Sequence, residues 1–234
     1  MNQKPRKTPL QKPARFNKPH QLWFITINLL VLLILSGASH SNNANHGKQL
    51  YAEQCASCHG LQGQGNTVME APALAAQLPT YTIRQIMSFQ TGLRGPQDRH
   101  AQQMSAIANS VGSDDSYRKI AFYLDTLSPV NLDEEELNKT PQGDVKQGYK
   151  QYQASCGGCH GDKAQGNAAL ESPRLSGLSP DYLKRQYQYF LNGKRGSSKK
   201  NKYGRQMTMI ANTVRDPRKI DDIIAYLQTL NAAK

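Results

Sequence analysis

A five-residue pattern, Cys-x-x-Cys-His, occurs twice in this chain and constrains its fold more than any other feature. It reads CASCH at Cys55–His59 and CGGCH at Cys156–His160, 101 positions later. Two cysteines three positions apart lie on one side of a single helical turn, and the histidine follows directly. Because both copies carry the same three reactive residues at the same spacing, we expect one small unit to be present twice in the 234-residue chain.

The pattern is the attachment signal for c-type haem. The two cysteine sulfurs add to the vinyl groups of one porphyrin, and the histidine then binds the iron as its proximal ligand. A zinc site built from both pairs would leave the two histidines unexplained, and a dithiol redox motif does not require them. Two covalent haem c groups with their iron would use all four cysteines, so no disulfide is expected. The predicted attachment residues are Cys55, Cys58, Cys156 and Cys159, and the predicted proximal ligands are His59 and His160.

The rest of each unit also repeats. Identical residues recur at an offset of 101, which becomes 103 beyond Gly196. Each unit shows a short helix entering the motif, a glycine-rich loop, a central helix, a loop carrying an iron ligand and a final helix. The pairs Ser179-Pro180 and Asp216-Pro217 are start signals for helices of the second unit. No alternation typical of strands is present, so the sequence predicts an all-α fold.

The repeat divides the chain into four segments. We predict a signal peptide or N-terminal anchor at residues 1–38, a first haem domain at 39–130, an acidic linker at 131–140 and a second haem domain at 141–234. A unit of about 90 residues has a thin protein core, so the apolar macrocycle is expected to form part of each domain's interior.

The N-terminal segment has the composition of an export signal. Six basic residues and no acidic residue precede the apolar run 22–35, and small residues at 36–38 suit signal peptidase cleavage near Ala38. The run is shorter than the roughly 20 residues that span a bilayer, which favours cleavage over retention as an inner-membrane anchor. Either outcome places the folded part in the periplasm, and retention would add membrane association through this segment.

The net charge of +12 is unevenly distributed. Residues 39–130 contain six basic and six acidic residues, whereas residues 141–234 contain sixteen and seven. The chain is predicted to be exported and has no aromatic-basic recognition pattern, so nucleic acid is not the expected partner. The partner that we expect instead is an acidic redox protein or an anionic membrane surface. We expect a basic loop of the second domain to attract such a partner. That loop contains Lys194, Arg195, Lys199, Lys200, Lys202 and Arg205.

The sixth coordination position of each iron requires a second ligand. Of the six methionines, Met104 and Met207 align with each other, in segments that we predict to be loops rich in glycine and polar residues. We therefore predict these two as the distal ligands, with Met209 as the alternative in the second domain. His100 aligns with Tyr203 and is predicted to be a solvent-facing loop residue. Histidine–methionine ligation raises the reduction potential and fills both axial positions, which favours electron exchange over catalysis at the iron.

Residues 44–231 resemble the dihaem class I cytochromes c, specifically the cytochrome c4 type. The resemblance rests on an ordered set present twice: Cys-x-x-Cys-His, Pro-x-Leu, a tyrosine followed by an Arg-Gln helix, Gly-x-Arg-Gly and a ligand methionine. It implies two tandem class I cytochrome c domains, each wrapped around one covalently attached haem. It also implies that the backbone carbonyls of Pro72 and Pro173 accept a hydrogen bond from the proximal histidines.

The same resemblance implies an electron carrier and not an enzyme. Similar proteins carry electrons in the bacterial periplasm between membrane respiratory complexes and terminal oxidases or other acceptors. Two alternatives stay open at this point. One is the cytochrome subunit of a periplasmic dehydrogenase, such as a flavocytochrome or an alcohol-oxidising complex. The other is a dihaem peroxidase, which needs an iron position that can open.

Overall fold

The chain folds into helices joined by loops. The computed structural model describes residues 45–94, 98–132 and 134–230. Within these ranges β structure is limited to two isolated bridges, which join Asn66 to Ala71 and Asn167 to Ser172. The prediction of an all-α fold is therefore confirmed. The predicted signal peptide or anchor, residues 1–38, lies outside the described residues.

The first domain begins with the helix that enters the Cys-x-x-Cys-His motif. Its helices in the described ranges are α1 (45–54), α2 (Ala56–His59), α3 (Pro79–Gln90), α4 (Arg99–Ser110) and α5 (Asp114–Asp125). Polar side chains begin two of them, since Asp98 accepts a hydrogen bond from the backbone N–H of His100 and Ser113 from that of Ser116.

The second domain repeats this order and belongs to the same compact unit as the first. A short helix, α6 (Glu134–Asn138), lies within the segment predicted as a linker. The domain then consists of α7 (Val145–Tyr152), a π-helical turn (Gln153–Gly157), α8 (Gly158–His160), α9 (Pro180–Leu191), α10 (Lys202–Thr213) and α11 (Pro217–Thr229). Both predicted start signals are confirmed, because Ser179 caps α9 and Asp216 caps α11 with side-chain hydrogen bonds.

The two candidate ligand methionines lie on helices, and the expectation of a loop at these positions is wrong. Met104 lies in α4 and Met207 in α10, each at the sixth position of a twelve-residue helix. A capping side chain starts each helix, Asp98 for α4 and Asn201 for α10. The alanine, glutamine and methionine residues that follow have good helix propensity and extend the helix past the methionine.

In each domain the first and last helices cross at a glycine. A Cβ atom on Gly47 would overlap the backbone carbonyl of Lys119, and one on Gly148 would overlap that of Asp222. The helices approach closely because neither position carries a side chain. A buried cluster surrounds each crossing, formed by Tyr51, Ala56, Ile120, Tyr123 and Leu124 in the first domain and by Tyr152, Ala164, Ile220, Ile223, Ile224, Tyr226 and Leu227 in the second.

We expect the substitution Gly148→Ala to destabilise the second domain by about 1–3 kcal/mol, because the helix crossing must open to accept the methyl group. Thermal unfolding of the haem-containing protein, followed by circular dichroism, measures the effect. Gly158→Ala is the matched control, because its backbone is helical and the first motif carries Ser57 at the equivalent position. Equal unfolding temperatures for Gly148→Ala and the wild type would contradict the close crossing.

Candidate haem sites

Each Cys-x-x-Cys-His motif is tied to the helix before it and to the turn after it. The buried Tyr51 donates a hydrogen bond from its hydroxyl to the backbone carbonyl of Gly60 at 2.6 Å, and Tyr152 makes the same bond to Gly161. Gly60 and Gly161 have φ values of +79° and +84°, a left-handed conformation that favours glycine. The chain therefore turns away directly after each histidine, and the tyrosine holds that turn in place.

The histidine of each motif is buried and held in one orientation. His59 and His160 are both 5% exposed. Nδ1 of His59 lies 2.8 Å from the carbonyl oxygen of Pro72, and Nδ1 of His160 lies 2.9 Å from that of Pro173. Because a carbonyl oxygen only accepts, Nδ1 carries the hydrogen and Nε2 keeps its lone pair. Burial lowers the pKa of both histidines, despite the opposing effect of the proline carbonyls, so the rings are neutral at pH 7.

The first cysteine of each motif lies against the buried cluster of its domain. Burial, followed by the effect of the second cysteine, raises the pKa of Cys55 to about 12 and that of Cys156 to about 11. None of the four cysteines forms a disulfide, and Cys159 is exposed. Each motif thus places two cysteine side chains on one turn, next to a neutral imidazole.

The two candidate distal ligands are less exposed than the other methionines that the structure describes, since Met69, Met87 and Met209 are 49%, 45% and 68% exposed. Met104 is half-buried and packs against a cluster of Phe89, Ala101 and Ala108, which is separate from the cluster that Cys55 contacts. Met207 is half-buried in the equivalent helix, whereas Met209 is 68% exposed. The exposure of its side chain argues against Met209 as a ligand.

The donor set of each domain fits a c-type haem. It consists of two thiols one turn apart, an imidazole whose Nε2 lone pair is available, and a thioether on a different helix. The residues that would hold the two groups are Cys55, Cys58, His59 and Met104 in the first domain and Cys156, Cys159, His160 and Met207 in the second. In the described part of the chain no group of three or more His, Cys, Asp or Glu side chains is placed to hold a metal ion.

The two domains contact each other through residues at equivalent positions. The Arg84 guanidinium lies 2.5 Å from the Glu171 carboxylate and donates a second hydrogen bond to the Glu171 carbonyl at 2.8 Å. Arg185, the counterpart of Arg84, donates to the carbonyl of Glu70 at 2.9 Å and lies 3.5 Å from its carboxylate. Each domain therefore supplies one arginine and one glutamate, and the contact is approximately two-fold symmetric.

Sequence reasoning assigned no role to these interface residues. Glu70 recurs as Glu171 in the second copy, and Arg84 recurs as Arg185. Identity of polar residues that have no predicted function at the haem is the signal that marks them. It could have identified the interface before the structure was known.

His100 lies beside this interface, paired with the Glu70 that contacts Arg185, and the expectation of a solvent-facing loop residue is wrong. It lies in α4 with its side chain 22% exposed, its Nε2 2.6 Å from a Glu70 carboxylate oxygen and its Nδ1 3.2 Å from Asp98. Its counterpart Tyr203 donates a hydrogen bond to Glu171, which raises the pKa of Tyr203. Both ring nitrogens of His100 face carboxylates, which leaves Met104 as the candidate ligand of the first domain.

Arg195 also departs from expectation. Five residues of the predicted basic loop are exposed: Lys194, Lys199, Lys200, Lys202 and Arg205. Two of them, Lys202 and Arg205, lie in α10 and not in a loop. Arg195 instead is partly buried and donates hydrogen bonds to Tyr81 and Gln85 of the first domain. It is an interface residue and not part of the exposed basic surface.

Comparison with known proteins finds a family model for each half of the chain. Residues 145–231 match the family model described as Cytochrome c, and residues 42–124 match the model described as Cytochrome C oxidase, cbb3-type, subunit III. Cytochrome c-554(547) of Halothiobacillus neapolitanus is 34% identical over 91 residues, which are 38% of this chain and 98% of that protein. The chain belongs to the cytochrome c family.

The tandem arrangement of this cytochrome is of the dihaem cytochrome c4 type, as the resemblance implied. Cytochrome c4 of Thiocapsa roseopersicina is 28% identical over 179 residues, covering 76% of this chain and 87% of that protein. The crystal structure of reduced recombinant cytochrome c4 from Pseudomonas stutzeri has the same fold, with a TM-score of 0.62 and 23% identity over 79% of this chain and 97% of that one. The cytochrome carries two covalently bound haem c groups.

Replacing both cysteines of the second motif, Cys156→Ser with Cys159→Ser, is expected to leave one covalent haem per chain. The reason is that each motif supplies the thiols for its own porphyrin. The haem-to-protein ratio of the purified protein and the mass of the intact polypeptide measure the loss. Ser57→Ala, which lies between the cysteines of the first motif, is the control and should retain two haems. Two covalent haems in the double variant would contradict the assignment.

Proposed function

We propose that this cytochrome is a periplasmic electron carrier in which each haem iron has one histidine and one methionine ligand. The observation that carries the proposal is the equivalence of Met104 and Met207, two half-buried methionines at the same position of equivalent helices. Together with the buried, neutral histidines, they supply a matched donor pair in each domain. The proposed iron ligands are His59, Met104, His160 and Met207, the proposed attachment residues are Cys55, Cys58, Cys156 and Cys159, and Pro72 and Pro173 orient the histidines.

The side chains determine how such a site behaves. A haem c iron supplies reversible one-electron exchange between its ferric and ferrous states. The proline carbonyl fixes the orientation of the histidine ring and strengthens its basicity at Nε2. The methionine thioether favours ferrous iron relative to harder donors and so raises the reduction potential. With a histidine and a methionine both bound to the iron, neither domain would leave an iron position for a substrate, which supports a carrier over an enzyme.

We also propose the segment boundaries and location inferred from the sequence. Residues 1–38 act as a signal peptide or anchor, 39–130 and 141–234 are the cytochrome c domains, and 131–140 link them. In the described part of the chain no helix is long and apolar enough to cross a membrane. The mass of the mature N-terminal peptide distinguishes cleavage near Ala38 from retention of the segment.

The substitution Met207→Leu is expected to remove the absorption band of iron–thioether ligation from one of the two haems. Leucine fills a similar volume but has no donor atom, so the sixth position of the second iron opens and the reduced variant binds carbon monoxide at one haem. Absorbance spectra with and without carbon monoxide measure both effects. Met209→Leu is the matched control and should behave as the wild type, because that side chain is 68% exposed.

Three other results would count against the proposal. Loss of the band in Met209→Leu, with no change in Met207→Leu, would show that the ligand is misassigned. Rapid binding of carbon monoxide by the wild type together with rapid peroxide turnover would support a dihaem peroxidase. Copurification of the native protein with a larger catalytic subunit would support the dehydrogenase alternative instead of a freely diffusing carrier.

We further propose that the exposed basic residues of the second domain attract an acidic redox partner. We define this basic surface as Lys194, Lys199, Lys200, Lys202 and Arg205, all of which are exposed. Lys202 and Arg205 lie in α10 together with Met207, so the surface adjoins the proposed second haem site. Two of its lysines are held over aromatic rings, Lys194 over Tyr189 and Lys202 over Tyr203, each at 5.4 Å.

Charge reversal with Lys199→Glu and Lys200→Glu is expected to slow association with an acidic redox protein roughly tenfold at low salt, with a smaller difference at high salt. Stopped-flow electron transfer at several ionic strengths, with a small acidic copper protein as the probe, measures the rate. The control is Lys146→Glu with Lys150→Glu, an equal change of charge on exposed residues of α7. Equal slowing by both pairs would mean that net charge alone matters and would contradict a localised surface.

A further inference from the structure

The helix that carries Met207 is tied at its C-terminal end to the central helix of its domain. This helix, α10, ends at Thr213, and the backbone carbonyls of its last turn have no donor within the helix. The hydroxyl of Tyr187 in α9 donates a hydrogen bond to the backbone carbonyl of Val214 at 2.9 Å. The carbonyl oxygen of Ala211 lies 3.5 Å from the same hydroxyl. One tyrosine side chain therefore binds the end of the ligand helix.

Packing and burial hold this tyrosine in one place. Tyr187 is half-buried and packs against the buried cluster of the second domain, as do Cys156 and Val214. A tyrosine side chain has only two rotatable bonds before its ring hydroxyl, so a packed ring fixes where that hydroxyl lies. Burial, followed by the nearby Cys156, raises the pKa of Tyr187, so the hydroxyl keeps its proton and stays a donor. The bond between α9 and α10 is therefore well defined.

The first domain makes the same tie with a different residue. The position equivalent to Tyr187 is Ile86, which has no hydrogen-bonding group in its side chain. The side-chain amide of Gln90 in α3 instead donates to the backbone carbonyl of Ala108 in α4 at 2.8 Å. Ala108 is the counterpart of Ala211 at the offset of 103. The central helix thus binds the same end of the ligand helix in both domains, through side chains that are not equivalent in the repeat.

The order of residues along α10 shows what this tie does. The exposed Lys202 and Arg205 of the basic surface lie in the first half of the helix, and Met207 follows them. Tyr187 binds the opposite end. A partner that docks on the basic surface therefore contacts one half of the helix, while the other half is held against α9. The thioether reaches the iron only while α10 keeps its position, so the held end secures the ligand.

We propose that Tyr187 is a positioning residue, which keeps Met207 bound to the second iron by holding the C-terminal end of α10 against α9. The proposal rests on Met207 as the proposed ligand and adds a residue outside the haem-binding motif. Tyr187 needs no contact with the iron, because it acts through the position of the helix. The hydrogen bond is single and uncharged, so its loss should weaken the iron–thioether bond without abolishing it.

The test measures how easily imidazole displaces Met207 from the ferric iron of the two-haem protein. It uses Tyr187→Phe in the Met104→Leu background, where the iron–thioether band reports on the second iron alone. Phenylalanine retains the packed ring but lacks the hydroxyl. We expect imidazole to remove half of the band at a concentration about three to ten times lower than in the background, which corresponds to one lost hydrogen bond.

Tyr149→Phe in the same background is the matched control, because it removes a hydroxyl from a side chain of α7 that is 51% exposed. It should need the same imidazole concentration as the background. Thermal unfolding of both variants separates positioning from a general loss of stability. A lower unfolding temperature for Tyr187→Phe with no change in the imidazole concentration would mean that the hydrogen bond stabilises only the fold, and would overturn the proposal. An equal change in both variants would overturn it as well.

A third variant separates failure of this proposal from failure of the proposed ligand. Met207→Leu in the Met104→Leu background should lack the iron–thioether band altogether. A band that persists there, or a background that already lacks it, would show that Met207 is not the ligand, and would overturn the ligand and the proposal together. Loss of the band on Met207→Leu, with an unchanged imidazole concentration in Tyr187→Phe, would leave the ligand intact and overturn only the role of Tyr187.

Discussion

A buried histidine ring donates a hydrogen bond to a proline carbonyl once in each domain, and the rest of each haem site depends on this bond. The bond joins residues thirteen positions apart, so it closes the glycine-rich loop onto the Cys-x-x-Cys-His turn. It also fixes which ring nitrogen carries the hydrogen and leaves the other as a donor to metal. The tyrosine that holds the following turn, and the glycine that allows that turn, keep the histidine in position. Burial of the ring maintains its neutral form, which is the form that binds iron.

Duplication has produced two domains with closely similar interiors and a shared, nearly symmetric boundary. Arginine and glutamate from each copy contact their opposites in the other, and Arg94 and Arg195 both donate hydrogen bonds to Gln85 and Gln186. The differences are concentrated outside this pattern. His100 stands where the other copy has Tyr203, and the excess of positive charge lies on the second domain. A symmetric boundary suits electron exchange between the two domains. Unlike outer surfaces suit the binding of two different redox partners, which the proposed electron carrier requires.

Much of the fold could be predicted from the sequence because the informative signals are local. The Cys-x-x-Cys-His motif and the serine–proline and aspartate–proline helix starts depend on neighbouring residues alone. The predicted loops around Met104 and Met207 are wrong because glycine and polar residues nearby suggested irregular backbone, whereas Asp98 and Asn201 cap regular helices. The surroundings of His100 and the interface role of Arg195 were missed for a different reason. They depend on contacts between residues about thirty to more than a hundred positions apart, and no local periodicity reports these.

The central claim is that two haems are covalently attached and that a histidine and a methionine cap each iron. A reductive titration of the exported, mature wild-type protein tests it most directly, if the haem bands and the iron–thioether band are recorded together. The account predicts two one-electron steps per chain, with part of the thioether band disappearing in each step. A single haem per chain, or a thioether band that follows only one of two steps, would contradict it.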